Sequence, residues 1–182
     1  MKKIAFIGSA GVGKSTIAYG LFHHLKVKGF KTELVPELIK IKVYKKENFS
    51  RIGFDIQNTL EQEDLENAFN QHGNVLDYLI CESPLVNGFF YSTYYRKYHE
   101  VGALKEIANK YVKSYDYIYF VTAGEMNKKD FDSIGRKGTF EETLGVESHI
   151  MQTLDDLGIS KSHVKIINRT VNISDIVRDI TK

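Results

Sequence analysis

Residues 8–15 read Gly-Ser-Ala-Gly-Val-Gly-Lys-Ser, a G-x-x-x-x-G-K-S pattern without a gap. Its flanks make it the strongest constraint in the chain. The apolar run Ile4-Ala5-Phe6-Ile7 enters it, and residues 15–28 leave it with Ile17, Leu21, His24 and Leu25 at helical spacing before Gly29. A buried strand, a glycine turn and an amphipathic helix form the opening unit of a parallel α/β sheet. The glycines let successive backbone N–H groups curl around a phosphate, where any Cβ would clash. The helix adds the positive end of its dipole. The stretch Gly8, Ser9, Ala10, Gly11, Val12, Gly13, Lys14, Ser15 and Thr16 is therefore expected to hold ATP. Lys14 is expected to reach the β- and γ-phosphates, and the Ser15 hydroxyl to ligate Mg²⁺. No Asn-Lys-x-Asp guanine-reading segment is visible, which favours ATP over GTP.

Downstream, apolar runs alternate with helical patterns. Thr32–Val35, Val75–Cys81, Tyr117–Thr122 and Val164–Ile167 read as further strands. Helices are expected over Phe54–Gln71, with Ile56, Leu60, Leu65 and Phe69 on the inner face, and over Phe140–Leu157 and Val171–Ile180. Leu85–Lys113 reads as two helical pieces divided near Val101-Gly102. Residues 124–138 are polar and glycine-containing without a clear period, the pattern of a mobile lid over about residues 124–140. With 182 residues and no repeat or Pro/Ser-rich linker, residues 1–182 are expected to form one domain.

Ligands of an open parallel sheet sit beyond the carboxyl ends of its strands. Two acids fall there. Glu82 ends the apolar run Tyr78-Leu79-Ile80-Cys81 as in a Walker B site, where a carboxylate holds Mg²⁺ or takes a proton from an attacking hydroxyl. Glu37 follows Val35-Pro36 at the end of the second strand. Glu82 is assigned to the metal and Glu37 to the acceptor hydroxyl. Each could instead be an acid that merely ends a strand. In the lid, Gly135-Arg136-Lys137-Gly138 sets two cations between glycines, so Arg136 is a candidate for the γ-phosphate; an exposed basic turn is the plainer alternative. Phe89, Phe90, Tyr91, Tyr94, Tyr95 and Tyr98 offer an aromatic wall for a planar ring, or ordinary packing at helical spacing. Arg51 and Arg96 are candidate phosphate contacts. His23 and His24 read as structural.

A formal net charge of +2 does not advertise a nucleic-acid binder, although Lys40, Lys42, Lys45, Lys46 and Arg51 lie close together and read as a solvated face. The single cysteine, Cys81, excludes an internal disulfide and a Cys-rich zinc site, and its apolar setting suggests a buried thiol. No apolar run approaches the length of a membrane span, and the first is too short for a signal peptide, so a cytoplasmic, membrane-free protein is expected.

Taken together, Gly8–Ser15, Val35-Pro36-Glu37, Cys81-Glu82-Ser83-Pro84-Leu85 and Gly135-Arg136 followed by Glu141-Glu142 resemble the small AAA-like P-loop ATPase and kinase proteins of bacteria and phages. The chain looks similar to the nicotinamide riboside kinase domain and, more distantly, to nucleoside and nucleoside-monophosphate kinases. The resemblance implies a three-layer α/β P-loop sandwich with a five-stranded parallel sheet of order 2-3-1-4-5 and helices on both faces. It also implies a lid bearing Arg136, an acceptor pocket between strands two and three, and adenine near Asn168 and Arg169. Two departures stand out: Glu82 replaces the family's usual Asp, and Ser83 stands where nucleoside kinases commonly carry Arg. The leading expectation is ATP-dependent phosphoryl transfer to a small nucleoside-, nucleotide- or ribosyl-like acceptor. The alternatives are a regulatory ATPase without such an acceptor and a polynucleotide 5′-kinase, the latter not favoured by the net charge.

Overall fold

Alternate residues of the first strand, β1 (Lys2–Ile7), serve two different cores. Ile4 and Phe6 pack with Ile17, Leu21 and Leu25 of α1 (Lys14–Val27) and with Ile176, Val177 and Ile180 of α7 (Ile173–Ile180). Ala5 and Ile7 point the other way, into a cluster with Phe89, Leu104 and Ile150. A strand buried on both faces needs helices on both, and this alternation sets the three layers. The computed structural model describes residues 1–71, 74–131, 134, 136, 138–159 and 163–182.

The remaining elements are β2 (Thr32–Val35), α2 (Leu38–Tyr44), α3 (Phe54–Asn70), β3 (Tyr78–Cys81), α4 (Val86–Tyr94), α5 (Tyr98–Val112), β4 (Tyr117–Thr122), α6 (Phe140–Thr153) and β5 (Val164–Asn168). The strands pair in parallel in the order β2-β3-β1-β4-β5, as expected. Ala5 and Val35 both lie opposite Cys81, so the carboxyl ends of β2, β3 and β1 share one edge of the sheet. There the chain leaves β1 into the glycine loop, β2 into Glu37 and β3 into Glu82. Among the described residues, no helix is long and apolar enough to cross a membrane.

Three expectations need correction. The α4–α5 break falls at residues 95–97, where Arg96 adopts a left-handed φ of 55°, and Gly102 lies inside α5. Buried Glu100 helps place the break: its carboxylate accepts the Gly53 and Ile56 N–H groups at 3.1 and 2.9 Å, tying α5 to the start of α3. One residue of the expected inner stripe of α3 is misplaced. Leu60 is exposed, whereas Ile56, Leu65 and Phe69 pack against the core as expected, and Thr59, Gln62 and Glu66 are buried on the same helix, each with a polar partner. Finally, Lys42 is not solvated: it is buried on α2, 2.6 Å from Glu61.

Glu66 belongs to a polar cluster beneath β3. It accepts the Tyr115 hydroxyl proton at 3.0 Å, and the Tyr115 oxygen in turn accepts the Leu85 N–H at 3.1 Å. Lys3 lies 3.8 Å from Glu66. Burial, partly offset by Lys3, raises the Glu66 carboxyl above its usual range. Cys81 sits in the same place, fully buried, and burial with Glu66 beside it pushes its thiol well above the ordinary value.

Candidate active site

The glycines of the loop stand where no other residue fits. Gly8 has φ 143°, and a methyl group on it would lie 2.4 Å from the Val121 carbonyl oxygen of β4. Gly13, at φ 100°, caps α1, and a methyl there would meet Cβ of Arg169 at 3.0 Å. Between them the Lys14 ammonium folds back over the loop and donates to the carbonyls of Gly8 and Ser9 at 2.9 and 2.7 Å. Lys14 is buried, and burial lowers its pKa; Glu37 and Glu82 pull it up again, and Arg136 pushes it down. Both acids and Arg136 are thus near enough to act on the charge of this one ammonium. The Ser9 hydroxyl is fully buried with no hydrogen-bond partner among the described residues.

The acids differ in setting. Glu82 extends the ladder, its N–H donating to Val35 O at 3.1 Å, and its buried carboxylate accepts the Ser15 hydroxyl proton. A neutral and an anionic oxygen in contact are a donor set of the kind Mg²⁺ takes. Glu37 is half-buried at the start of α2. Burial raises its carboxyl above the ordinary range, Lys14 opposes that, Glu82 adds to it, and Arg136 opposes it. Pro36 leaves no N–H at the exit of β2, and Gln62 of α3 holds the backbone on both sides of Glu37. Its amide donates to Pro36 O at 3.0 Å and accepts the Leu38 N–H at 3.3 Å.

The lid segment comes back onto the loop. A methyl group on Gly11 would meet the Phe131 ring at 2.5 Å and Nε of Arg136 at 3.6 Å. Gly135 and Lys137 lie outside the described residues. At the far side, the Asn168 side chain accepts the Thr170 N–H at 3.1 Å, and its Cβ lies 3.2 Å from where a methyl on Gly124 would be. The base of the lid and the turn after β5 therefore meet where the resemblance puts adenine. Arg51 is elsewhere, donating to Gln57 at 2.6 Å on the exposed side, and Arg96 is exposed at the α4–α5 break.

Thr143, and the side of the loop that Tyr91 takes, escaped sequence reasoning. The Thr143 hydroxyl of α6 donates to Ala10 O at 2.9 Å, and the Tyr91 hydroxyl of α4 lies near the Ala10 backbone. The loop at Ala10 is thus tied to α6, with α4 alongside. Burial, with Glu37 and Tyr95 nearby, raises the Tyr91 hydroxyl far above the ordinary tyrosine value. Within the aromatic stretch, Phe89 and Phe90 are core, Tyr91 faces the loop, and Tyr98 is exposed. Gln62 was missed as well: it lies with Thr59 and Glu66 on a polar line of α3 that solvent-facing acids on the same helix hide.

A glycine loop closed on a buried lysine at the edge of a 2-3-1-4-5 sheet defines a P-loop nucleotide-binding fold. The chain belongs to the family described as AAA domain (AAA_28), whose model matches residues 3–169. Among solved structures it is similar to a NadR protein in complex with NAD and AMP-PNP, at 13% identity and a TM-score of 0.67. That match covers 99% of this chain and 48% of the other, so the chain spans about half the length of that protein. It is also similar to deoxyadenosine kinase from M. mycoides with the product dCMP and a flexible dCDP bound, at 15% identity and a TM-score of 0.60, covering 98% and 96% of the two chains. No curated protein matches it in sequence.

Proposed function

We propose that this chain, as one domain, transfers the γ-phosphoryl group of ATP to a hydroxyl of a small nucleoside-, nucleotide- or ribosyl-like acceptor. The observation that carries the reading is the division of labour between the two acids. Glu82 is engaged with Ser15, whereas Glu37 has its carboxyl raised by burial beside Lys14. A carboxylate with elevated pKa, fixed by Gln62, suits a proton acceptor for an organic hydroxyl.

In this reading, residues 8–16 cradle the polyphosphate, and Lys14 exchanges its two carbonyl partners for β- and γ-phosphate oxygens. Ser15 and Glu82 hold Mg²⁺, which when bound neutralises charge on the phosphates. As the acceptor oxygen bonds to the γ-phosphorus and the bridge to the β-phosphate breaks, the hydroxyl proton passes to Glu37 and ADP leaves. Arg136, brought over Gly11 by the lid, counters charge on the transferring oxygens. Asn168 borders the adenine.

The test is ATP consumption against a panel of nucleosides, nucleoside monophosphates and ribosyl compounds, with phosphorylated product measured directly. Transfer to at least one of them is the expected result. ATP hydrolysis that no acceptor alters and no product accompanies would overturn the reading in favour of a regulatory ATPase. Transfer only to oligonucleotide 5′ ends would replace the small acceptor with a polynucleotide.

A further inference from the structure

A small cavity opens among α2, α3 and α4, lined in part by residues that follow the two acids in the chain. It is about 30 Å³ in volume and is lined by Ile39, Asn58, Gln62, Ser83, Pro84 and Asn87 among others. Ile39 lies two residues beyond Glu37, and Ser83 follows Glu82 directly. The cavity therefore sits where an acceptor reaching toward Glu37 would extend.

The polar atoms on its wall are not all satisfied. Asn87 is 6% exposed, and its Nδ2 donates to Ser83 Oγ at 3.1 Å. Its Oδ1 is buried with no partner among the described residues, and so is Oδ1 of Asn58. Two neighbours are already committed. Gln62 uses both ends of its amide on Pro36 and Leu38, and the Thr59 hydroxyl donates to Asp55 O at 2.8 Å. Buried carbonyls are nearly always hydrogen-bonded, so two orphaned on one cavity mark a place built for a donor.

We propose that this cavity reads an uncharged N–H₂ group on the acceptor, an exocyclic amine or a carboxamide, through the side-chain carbonyls of Asn58 and Asn87; the inference rests on the acceptor reading above. No carboxylate lines the space, so an ammonium would be buried without a counter-charge. A keto oxygen or a carboxylate would set acceptor against acceptor. The space is small, so only the head of the ligand enters. A neutral NH₂ carries two protons, one for each carbonyl.

The experiment compares matched pairs: adenosine with inosine, cytidine with uridine, and nicotinamide riboside with nicotinic acid riboside. Each is assayed for phosphorylation and, separately, for direct binding by calorimetry. The amine or amide member is expected to be favoured at least about tenfold, with Asn87→Leu and Asn58→Leu each collapsing that preference. Asn87→Leu removes an orphaned carbonyl but also the amide bond to Ser83, so its melting temperature is measured alongside, and Asn58→Leu serves as the second variant should it fold poorly. Equal or inverted preference overturns the inference and leaves the phosphoryl-transfer reading standing if product forms. Preferential binding of the NH₂ members without any phosphorylation supports the cavity assignment and sinks the transferase reading. Absence of binding to every member of the panel overturns the inference.

Discussion

The two halves of the cleft are prepared in opposite ways. On the nucleotide side, most of the groups that would meet phosphate already have protein partners, the Ser9 hydroxyl being the exception. Lys14 bonds to Gly8 and Ser9, Ser15 bonds to Glu82, and the Ala10 carbonyl is held by Thr143. On the acceptor side, Asn58 and Asn87 keep buried carbonyls open, and Glu37 carries a carboxyl raised by its surroundings. A ligand shared by many proteins can be received by a loop that is stable alone. A group that distinguishes one small molecule from another must hold bonds in reserve, and stability is lost to that reserve.

The contrast can be broken or sharpened by experiment, beginning with the acids. Glu37→Gln is expected to lower kcat for transfer by about 10²–10⁴-fold, while slow hydrolysis of ATP persists. Its pH profile gives the sign. Glu37 must be deprotonated to accept a proton and its carboxyl is raised, so wild-type kcat should climb with pH through an apparent pKa above the usual glutamate range. The Gln variant should lack that limb, and a limb that survives would reassign the base. Lys14→Ala should reduce transfer and hydrolysis together, by about 10²–10³-fold, because its charge acts on the nucleotide alone. Selective loss of transfer would erase the contrast. For Arg136→Ala, stopped-flow and binding measurements should show kcat down by about 10²-fold with nucleotide affinity nearly kept; equal losses would make it a binding residue. The smallest effect is structural. Tyr115→Phe leaves the Leu85 N–H and Glu66 without their partner and should cost about 1–3 kcal/mol, read from a urea midpoint.

The legibility of the sequence followed the same divide. The loop could be read because its chemistry admits few residues at each position: Gly8 and Gly13 answer to contacts that any side chain would violate. The β2 and β4 boundaries were equally plain, since an apolar run entering Pro36 or Gly124 has one place to stop. The acceptor side was opaque for a physical reason. Gln62, Glu66 and Lys42 are residue types that normally face water, and only their partners, Pro36, Tyr115 and Glu61, explain their burial. Those partners lie up to dozens of residues away and leave no local period. The break at Arg96 was missed for the related reason that its left-handed turn carries no glycine, whereas Gly102 suggested a break that α5 does not need.

Cys81 offers one more use of the molecule. Because it is the only sulfhydryl in the chain and lies sealed beside Glu66 at the centre of the sheet, an alkylating reagent can reach it only when β3 parts from its cover. The rate of its modification at saturating reagent is therefore a built-in clock for opening of the molecule's middle, with no label added. Run with and without an ATP analogue, that clock should slow when nucleotide closes the edge that Glu82 shares with the glycine loop.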